Sequence, residues 1–95
     1  MRDYELMVII SPDVSEEDIP GTIDKVSDFI TSRGGTITEV NHWGKRKLAY
    51  PIARFREGDY VLSRFKFKPE MAAELEANLK ISEMILRHLL IRLGD

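Results

Sequence analysis

The sequence predicts an α+β fold whose elements follow one another in the order βαββαβ. Three observations support this prediction: an apolar first strand, two amphipathic helical stripes, and breaks rich in glycine or proline between them. Residues 4–10 (Tyr-Glu-Leu-Met-Val-Ile-Ile) are apolar on both sides of an extended chain. A strand of that kind belongs in the middle of a sheet.

The first helix is expected after a break at residues 11–13. Ser15 with Asp18 is close to a capping box, so we expect the helix to begin there, with its first turn distorted by Pro20. A regular helix that begins only at Pro20 is the alternative. Gly34, predicted in a left-handed conformation, ends the helix. The apolar stripe consists of Ile19, Ile23, Val26 and Ile30.

The second strand is expected from Thr36 to about Ile52, with a bulge or bend near Gly44. Pro51 has no N–H to donate to a neighbouring strand, which places this strand at a sheet edge. A hairpin loop over residues 54–59 then leads to a third strand, residues 60–67, that carries alternating apolar residues.

The second helix is expected to open at Pro69, and the last strand to cover residues 84–93. The buried stripe of this helix is Met71, Leu75 and Leu79. Right-handed crossovers then give a four-stranded antiparallel sheet of order 4-1-3-2 with both helices on one face. This is the ferredoxin-like arrangement, formed by residues 1–95 as a single domain.

Composition excludes several classes of function. The chain has no cysteine, which rules out disulfides and thiolate zinc sites, and neither histidine has a second ligand at metal-binding spacing. We therefore expect no metal and no cofactor. Apolar residues make up 43% of the chain, but no run approaches the length of a membrane span, so no membrane association is expected.

Positive charge is concentrated in one segment of a chain whose formal net charge is −2. Residues 42–56 carry no carboxylate and contain the cations Lys45, Arg46, Lys47, Arg54 and Arg56. Such clustering is the electrostatic pattern of a polyanion-binding surface. On a strand Lys45 and Lys47 point to one side and can follow a phosphate backbone, while Arg46 points to the other. Trp43 and Tyr50 flank these cations and are candidates for base stacking.

Structural explanations compete with this interpretation. Charges on an edge strand also prevent sheets from associating edge to edge. Aromatic residues on strands, Trp43 included, more often pack against neighbours than stack on bases.

The segment Gly-Lys-Arg-Lys-Leu-Ala-Tyr-Pro-Ile at residues 44–52 resembles the bacterial ribosomal small-subunit protein S-six family, as do the opening residues 1–5 and the Tyr-Val-Leu of residues 60–62. The resemblance covers essentially the whole chain. It implies a non-enzymatic constituent of the small ribosomal subunit in the cytoplasm. Such a protein binds the central domain of the small-subunit rRNA together with ribosomal protein S-eighteen, and has no small-molecule substrate. The positions that match as RNA-facing are Arg2, Lys45, Arg46, Lys47, Tyr50 and Arg54.

The face of the sheet without helices is expected to be apolar enough to meet a protein partner. Its candidate residues are Met7, Ile9, Tyr60 and Leu62. The alternative function is accordingly a ferredoxin-like regulatory or oligomerisation module that pairs through this open face. An enzyme of the acylphosphatase kind is disfavoured, because the loop at residues 11–15 leads into three carboxylates that would repel a phosphate.

Overall fold

The computed structural model describes residues 1–94, which form one sheet and two α-helices. The strands are β1 (Arg2–Ile10), β2 (Thr36–Ile52), β3 (Phe55–Phe67) and β4 (Ile85–Leu93), and the helices are α1 (Ile19–Ser32) and α2 (Ala72–Ile81). All neighbouring strands are antiparallel, in the order β2-β3-β1-β4. The predicted ferredoxin-like topology is confirmed, with β1 inside the sheet and β2 at its edge.

The core lies between the sheet and the helices. The side chains of β1 that face the helices are Leu6, Val8 and Ile10, and all three are buried. On β3 the ring of Phe65 stacks on Tyr4 at 5.9 Å and meets Phe67 edge to face at 5.8 Å. Burying one such aromatic side chain stabilises the fold by roughly 1.5–3 kcal/mol. The helices contribute Ile19, Ile30, Leu75 and Leu79 to this core.

The start of α1 differs from the favoured prediction. The helix begins at Ile19 with Asp18 as its N-cap residue, and no side chain caps it. The hydroxyl of Ser15 donates instead to the Asp18 carboxylate at 3.0 Å, and residues 15–18 form a separate turn. Pro20 therefore lies in the first turn, where a missing N–H costs nothing, as the alternative start required. At the other end Gly34 has the predicted positive φ, 86°.

Smaller departures occur at three other element ends. Pro69 opens a 3-10 turn, Pro69–Met71, and the α-helix follows from Ala72. β1 begins two residues earlier than expected, at Arg2, and β4 begins at Ile85.

The predicted hairpin loop over residues 54–59 is wrong. The chain reverses at Ala53 and Arg54, and residues 55–59 already belong to β3. Gly58 pairs with Arg46 inside the ladder and is buried. A Cβ at Gly58 would lie 2.5 Å from Cγ2 of Ile9, so this glycine permits a close approach of two strands and does not form a turn.

The β2–β3 ladder extends beyond the rest of the sheet. The last residue of β1, Ile10, pairs with Asp59, whereas β2 and β3 stay paired as far as Ile52 and Phe55. We refer to residues 45–58 as the distal hairpin. It begins directly after the predicted bulge, which the structure confirms as a register shift between His42 and Gly44.

Candidate nucleic-acid interface

The distal hairpin carries most of the predicted RNA-facing residues on an edge strand. Register places Lys45 opposite Asp59 and Lys47 opposite Glu57, whereas Arg46 lies opposite Gly58. The two lysines therefore share one side of the strand and Arg46 occupies the other, as strand alternation predicted. All three side chains are exposed.

Carboxylates engage only part of this positive charge. Arg54 forms an ion pair with Asp13 at 2.7 Å, and Lys45 lies 4.0 Å from Glu57. Within residues 1–94 neither Arg46 nor Lys47 has a carboxylate partner. Exposed ion pairs contribute roughly 0–1 kcal/mol, so a phosphate can compete for the paired cations as well.

Arg2 lies apart from the distal hairpin. It is the first residue of β1 and pairs with Phe67 at the opposite end of β3. Its side chain is exposed and has contacts of its own within the chain. The fold thus brings together the predicted residues from Trp43 to Arg54 and leaves Arg2 at a separate position.

Both candidate stacking residues lie on the surface and not in the core. Trp43 is 43% exposed and Tyr50 is 53% exposed. The guanidinium of Arg46 lies 5.2 Å from the centre of the Trp43 ring, which is within the range of a cation–π contact. Exposed rings next to unpaired cations are suited to stack on unpaired bases while the cations hold phosphates.

Two contacts fix the distal hairpin against the body of the protein. The Arg54–Asp13 ion pair joins its tip to the loop after β1. The hydroxyl of Tyr50 accepts a hydrogen bond from the guanidinium of Arg87, a residue of β4 that sequence reasoning did not select. No local pattern marks this pair, because the two residues are 37 positions apart in the sequence.

The four residues proposed for a protein partner do lie on the open face, but two of them are largely covered. Ile9 and Leu62 are each only 8% exposed, and Met7 and Tyr60 are intermediate. On β4, by contrast, the apolar side chains of this face are exposed: Leu89, Ile91 and Leu93. Their alternation, together with the position of the last strand at the edge in the order 4-1-3-2, was the signal that would have identified them.

The histidines and the loop after β1 show other chemistry. His42 lies 3.2 Å from the buried carboxylate of Asp59, and His88 lies 3.0 Å from Glu76 on α2. No group of three or more potential ligands that could hold a metal ion occurs in residues 1–94.

In the loop after β1, the backbone N–H of Asp13 donates to the Ser11 hydroxyl at 3.1 Å and orients this residue. Neither helix of the described chain is long and apolar enough to cross a membrane.

Comparisons with known proteins identify the family. The family model described as ribosomal protein S6 matches residues 3–92. The chain belongs to the ribosomal protein S6 family. Similar members include the small ribosomal subunit proteins bS6 of Caldanaerobacter subterraneus (47% identity) and Thermoanaerobacter pseudethanolicus (48% identity), both with complete coverage of the two chains. The bS6 protein of Dehalococcoides mccartyi is 44% identical, and the match covers this whole chain and 87% of that protein.

Solved structures agree with this assignment. The crystal structure of the 30S ribosomal protein S6 from Thermotoga maritima superposes with a TM-score of 0.91 at 37% identity and covers 96% of this chain and 86% of that one. The C-terminal domain of the MgtC protein from Mycobacterium tuberculosis reaches a TM-score of 0.62 at 14% identity. The second likeness concerns the fold alone, which many functions share.

Proposed function

We propose that this chain is a structural constituent of the small ribosomal subunit in the bacterial cytoplasm. In this role it binds the central domain of the small-subunit rRNA as one half of a pair with ribosomal protein S-eighteen. Membership of the S6 family supports the ribosomal role. The observation that carries RNA binding is a pair of exposed cations, Arg46 and Lys47, that have no carboxylate partner among residues 1–94 and lie on the same strand as the exposed rings of Trp43 and Tyr50.

The proposed mechanism is stabilisation and involves no reaction. Cations on the distal hairpin neutralise phosphates and release condensed counterions, which makes binding favourable and dependent on salt. The planar guanidinium of Arg46 can hold one phosphate through two parallel hydrogen bonds. Lys45 and Lys47, on the other side of the strand, can contact neighbouring phosphates. Such contacts hold one arrangement of RNA helices without reading base sequence.

The experiment is a salt titration of binding to a transcript of the central domain. Replacing Lys45, Arg46 and Lys47 together by alanine is expected to reduce the slope of log K against log salt by about 2–3, because each of the three lost phosphate contacts removes about 0.7–0.9 from it. The control removes the same charge from the helix side of the molecule by Lys25→Ala, Lys68→Ala and Lys80→Ala. These lysines are exposed and form no ion pair within residues 1–94. An unchanged slope in the hairpin variant, or an equal change in the control, would refute the proposal.

The protein partner is proposed to contact the open face at its β4 edge. Leu89 is 59% exposed and Ile91 is 42% exposed. In the β1–β4 ladder Leu89 pairs with Met7, and Ile91 pairs with Glu5. The double variant Leu89→Ser, Ile91→Ser is expected to lose binding to ribosomal protein S-eighteen. Val40→Ser, which alters an exposed apolar residue on the opposite edge strand β2, is expected to retain it.

The same exposed edge favours the second candidate function, a regulatory or oligomerisation module that pairs with a second copy of this chain. Analytical ultracentrifugation of the isolated chain separates the two. A monomer that associates only with ribosomal protein S-eighteen supports the ribosomal pair. A stable homodimer that Leu89→Ser and Ile91→Ser dissociate would support the alternative.

A further inference from the structure

Arg87 connects the two outer strands of the sheet at one surface point. It belongs to β4 and pairs with Ile9 of β1, yet its guanidinium donates to the hydroxyl of Tyr50 on β2, at the far edge of the sheet. The guanidinium carbon lies 5.3 Å from the centre of the Tyr50 ring. Both side chains are exposed. Arg87 is therefore next to the distal hairpin although the chain places it far from the basic segment.

The buried glycine in β3 makes this meeting possible. A Cβ at Gly58 would lie 2.5 Å from Cγ2 of Ile9 and 3.1 Å from the carbonyl oxygen of Ile10. Its next neighbour is the side chain of Leu86, one residue before Arg87. The distal hairpin thus passes close over the end of β1 and reaches the start of β4. The close packing of Gly58 against the end of β1 therefore determines where the hairpin lies relative to β4. It thereby determines the position of Tyr50 relative to Arg87.

The charge of Arg87 is not neutralised. Two other arginines, by contrast, are held by carboxylates: Arg64 lies 2.9 Å from Glu5 and 3.6 Å from Glu39, and Arg33 lies 2.8 Å from Glu74. Arg87 has no carboxylate partner in residues 1–94, and its recorded partner is a neutral phenol. A guanidinium has five N–H donors, so one bond to Tyr50 leaves donors for a phosphate.

We propose that Arg87 and Tyr50 together form a binding site for one unpaired nucleotide of a folded RNA. Arg87 binds the phosphate, and Tyr50 stacks on the base. The inference rests on the proposed RNA-binding function. It adds a residue of β4 to the binding surface and specifies that the bound nucleotide is unpaired. The contact between the two side chains, with the guanidinium carbon 5.3 Å from the ring centre, holds them next to each other before RNA arrives. Fixing side chains in advance reduces the entropy lost on binding.

The test compares Arg87→Met with Arg64→Met by salt titration of binding to the central-domain transcript. Both substitutions remove one guanidinium from the open face, but Arg64 is already held by two carboxylates. Arg87→Met is expected to reduce the salt slope by about 1, the value for one lost phosphate contact, and Arg64→Met to leave it nearly unchanged. Arg87→Lys, which keeps the charge, is expected to restore most of the slope.

Tyr50 provides the second measurement. Tyr50→Phe keeps the ring and loses the bond to Arg87, whereas Tyr50→Ala loses both, so we expect the alanine variant to weaken binding more while the salt slope stays near that of the wild type. Weaker binding of Arg87→Met with an unchanged salt slope would overturn the proposal, because Arg87 would then only position Tyr50. If the hairpin triple variant changes the slope and Arg87→Met does not, the inference fails while the proposed function stands.

Discussion

Replacing Gly58 by alanine tests the packing that determines where the distal hairpin lies. The added methyl carbon would stand 2.5 Å from Cγ2 of Ile9 and 3.1 Å from the carbonyl oxygen of Ile10. Nonbonded carbon atoms pack best at about 3.5–4.0 Å, so the strands must separate by about 1 Å. Ile9 cannot easily turn away, because a β-branched side chain in a strand has restricted χ1 freedom. The second contact is to backbone, which yields less readily than a side chain.

The cost of this overpacking is estimated at about 1–3 kcal/mol. For a domain of this size each kcal/mol lowers Tm by about 4–8 °C, so we expect a fall of about 5–20 °C for Gly58→Ala. Thermal unfolding followed by circular dichroism, with urea titration at 25 °C, measures both quantities.

Gly21→Ala is the matched control for this substitution. Gly21 lies in α1, is exposed, and has nothing within 4 Å of the position that a Cβ would occupy. Alanine in a helix is more favourable than glycine by roughly 0.5–1 kcal/mol, so this variant is expected to be more stable than the wild type. Replacing glycine by alanine is therefore expected to raise the free energy of unfolding at Gly21 and to lower it at Gly58.

A double variant identifies the contact responsible. Ile9→Ala removes Cγ2, the nearest atom to the added methyl group, so Gly58→Ala is expected to cost less in that background than alone. A Tm of Gly58→Ala within about 2 °C of the wild type would refute the reasoning. Equal costs of Gly58→Ala in both backgrounds would show that Ile9 is not the obstacle.

Three further substitutions have defined expected outcomes. Phe65→Ala, at a side chain that is 1% exposed, is expected to lower the free energy of unfolding by about 3–5 kcal/mol in urea titration, because it leaves a cavity beside Tyr4. Gly34→Ala is expected to cost about 1–2 kcal/mol in the same assay, since φ at that position is 86°. Asp13→Asn is expected to change stability by less than about 1 kcal/mol, because its ion pair with Arg54 is exposed. In an RNA titration Asp13→Asn is expected to bind more tightly, and Arg54→Ala should abolish that gain.

The parts of the fold that could be predicted are those encoded by local periodicity. Alternation in β1 predicts a strand with two apolar faces, and the apolar stripe of α1 predicts a helix and the face that it buries, because both signals lie within one short segment. The order of elements then restricts the topology to the one observed, since crossovers are right-handed. Pro51 correctly placed β2 at the edge for a similar local reason: it lacks a donor.

The hairpin could not be predicted because glycine has two structural uses. Gly58 lies within residues 54–59, where the sequence predicts a loop, but its role is to let β3 pass close to Ile9. The actual reversal contains Ala53 with a φ of 53°, a conformation that alanine rarely adopts and that composition does not indicate. Distinguishing the two uses requires knowing which strands lie nearby, and that information is tertiary.

The candidate site likewise has a part that could be predicted from the sequence and a part that depends on tertiary contacts. The clustered cations and the two aromatic residues were evident in the sequence because they are neighbours along the chain. The ion pair between Arg54 and Asp13 was not, since its partners are 41 residues apart. The same limit applies to Arg87, which joins the site only because the distal hairpin reaches the start of β4. Sequence therefore located the charge, and the fold determined how much of it remains available.

The separation of charge across the fold explains why a slightly acidic protein is suited to contact a polyanion. The helices and the turn before α1 present carboxylates, among them Glu16, Glu17, Asp24, Asp28 and Glu74, whereas the distal hairpin presents cations. At physiological salt the screening length is about 8 Å. Each region therefore acts mainly on the part of an approaching polymer that lies within that distance. In the proposed complex the RNA meets the positive hairpin end and not the helices, so the local charge matters more for binding than the net charge of −2. The proposed orientation also leaves the β4 edge of the open face accessible to the protein partner that we propose for it.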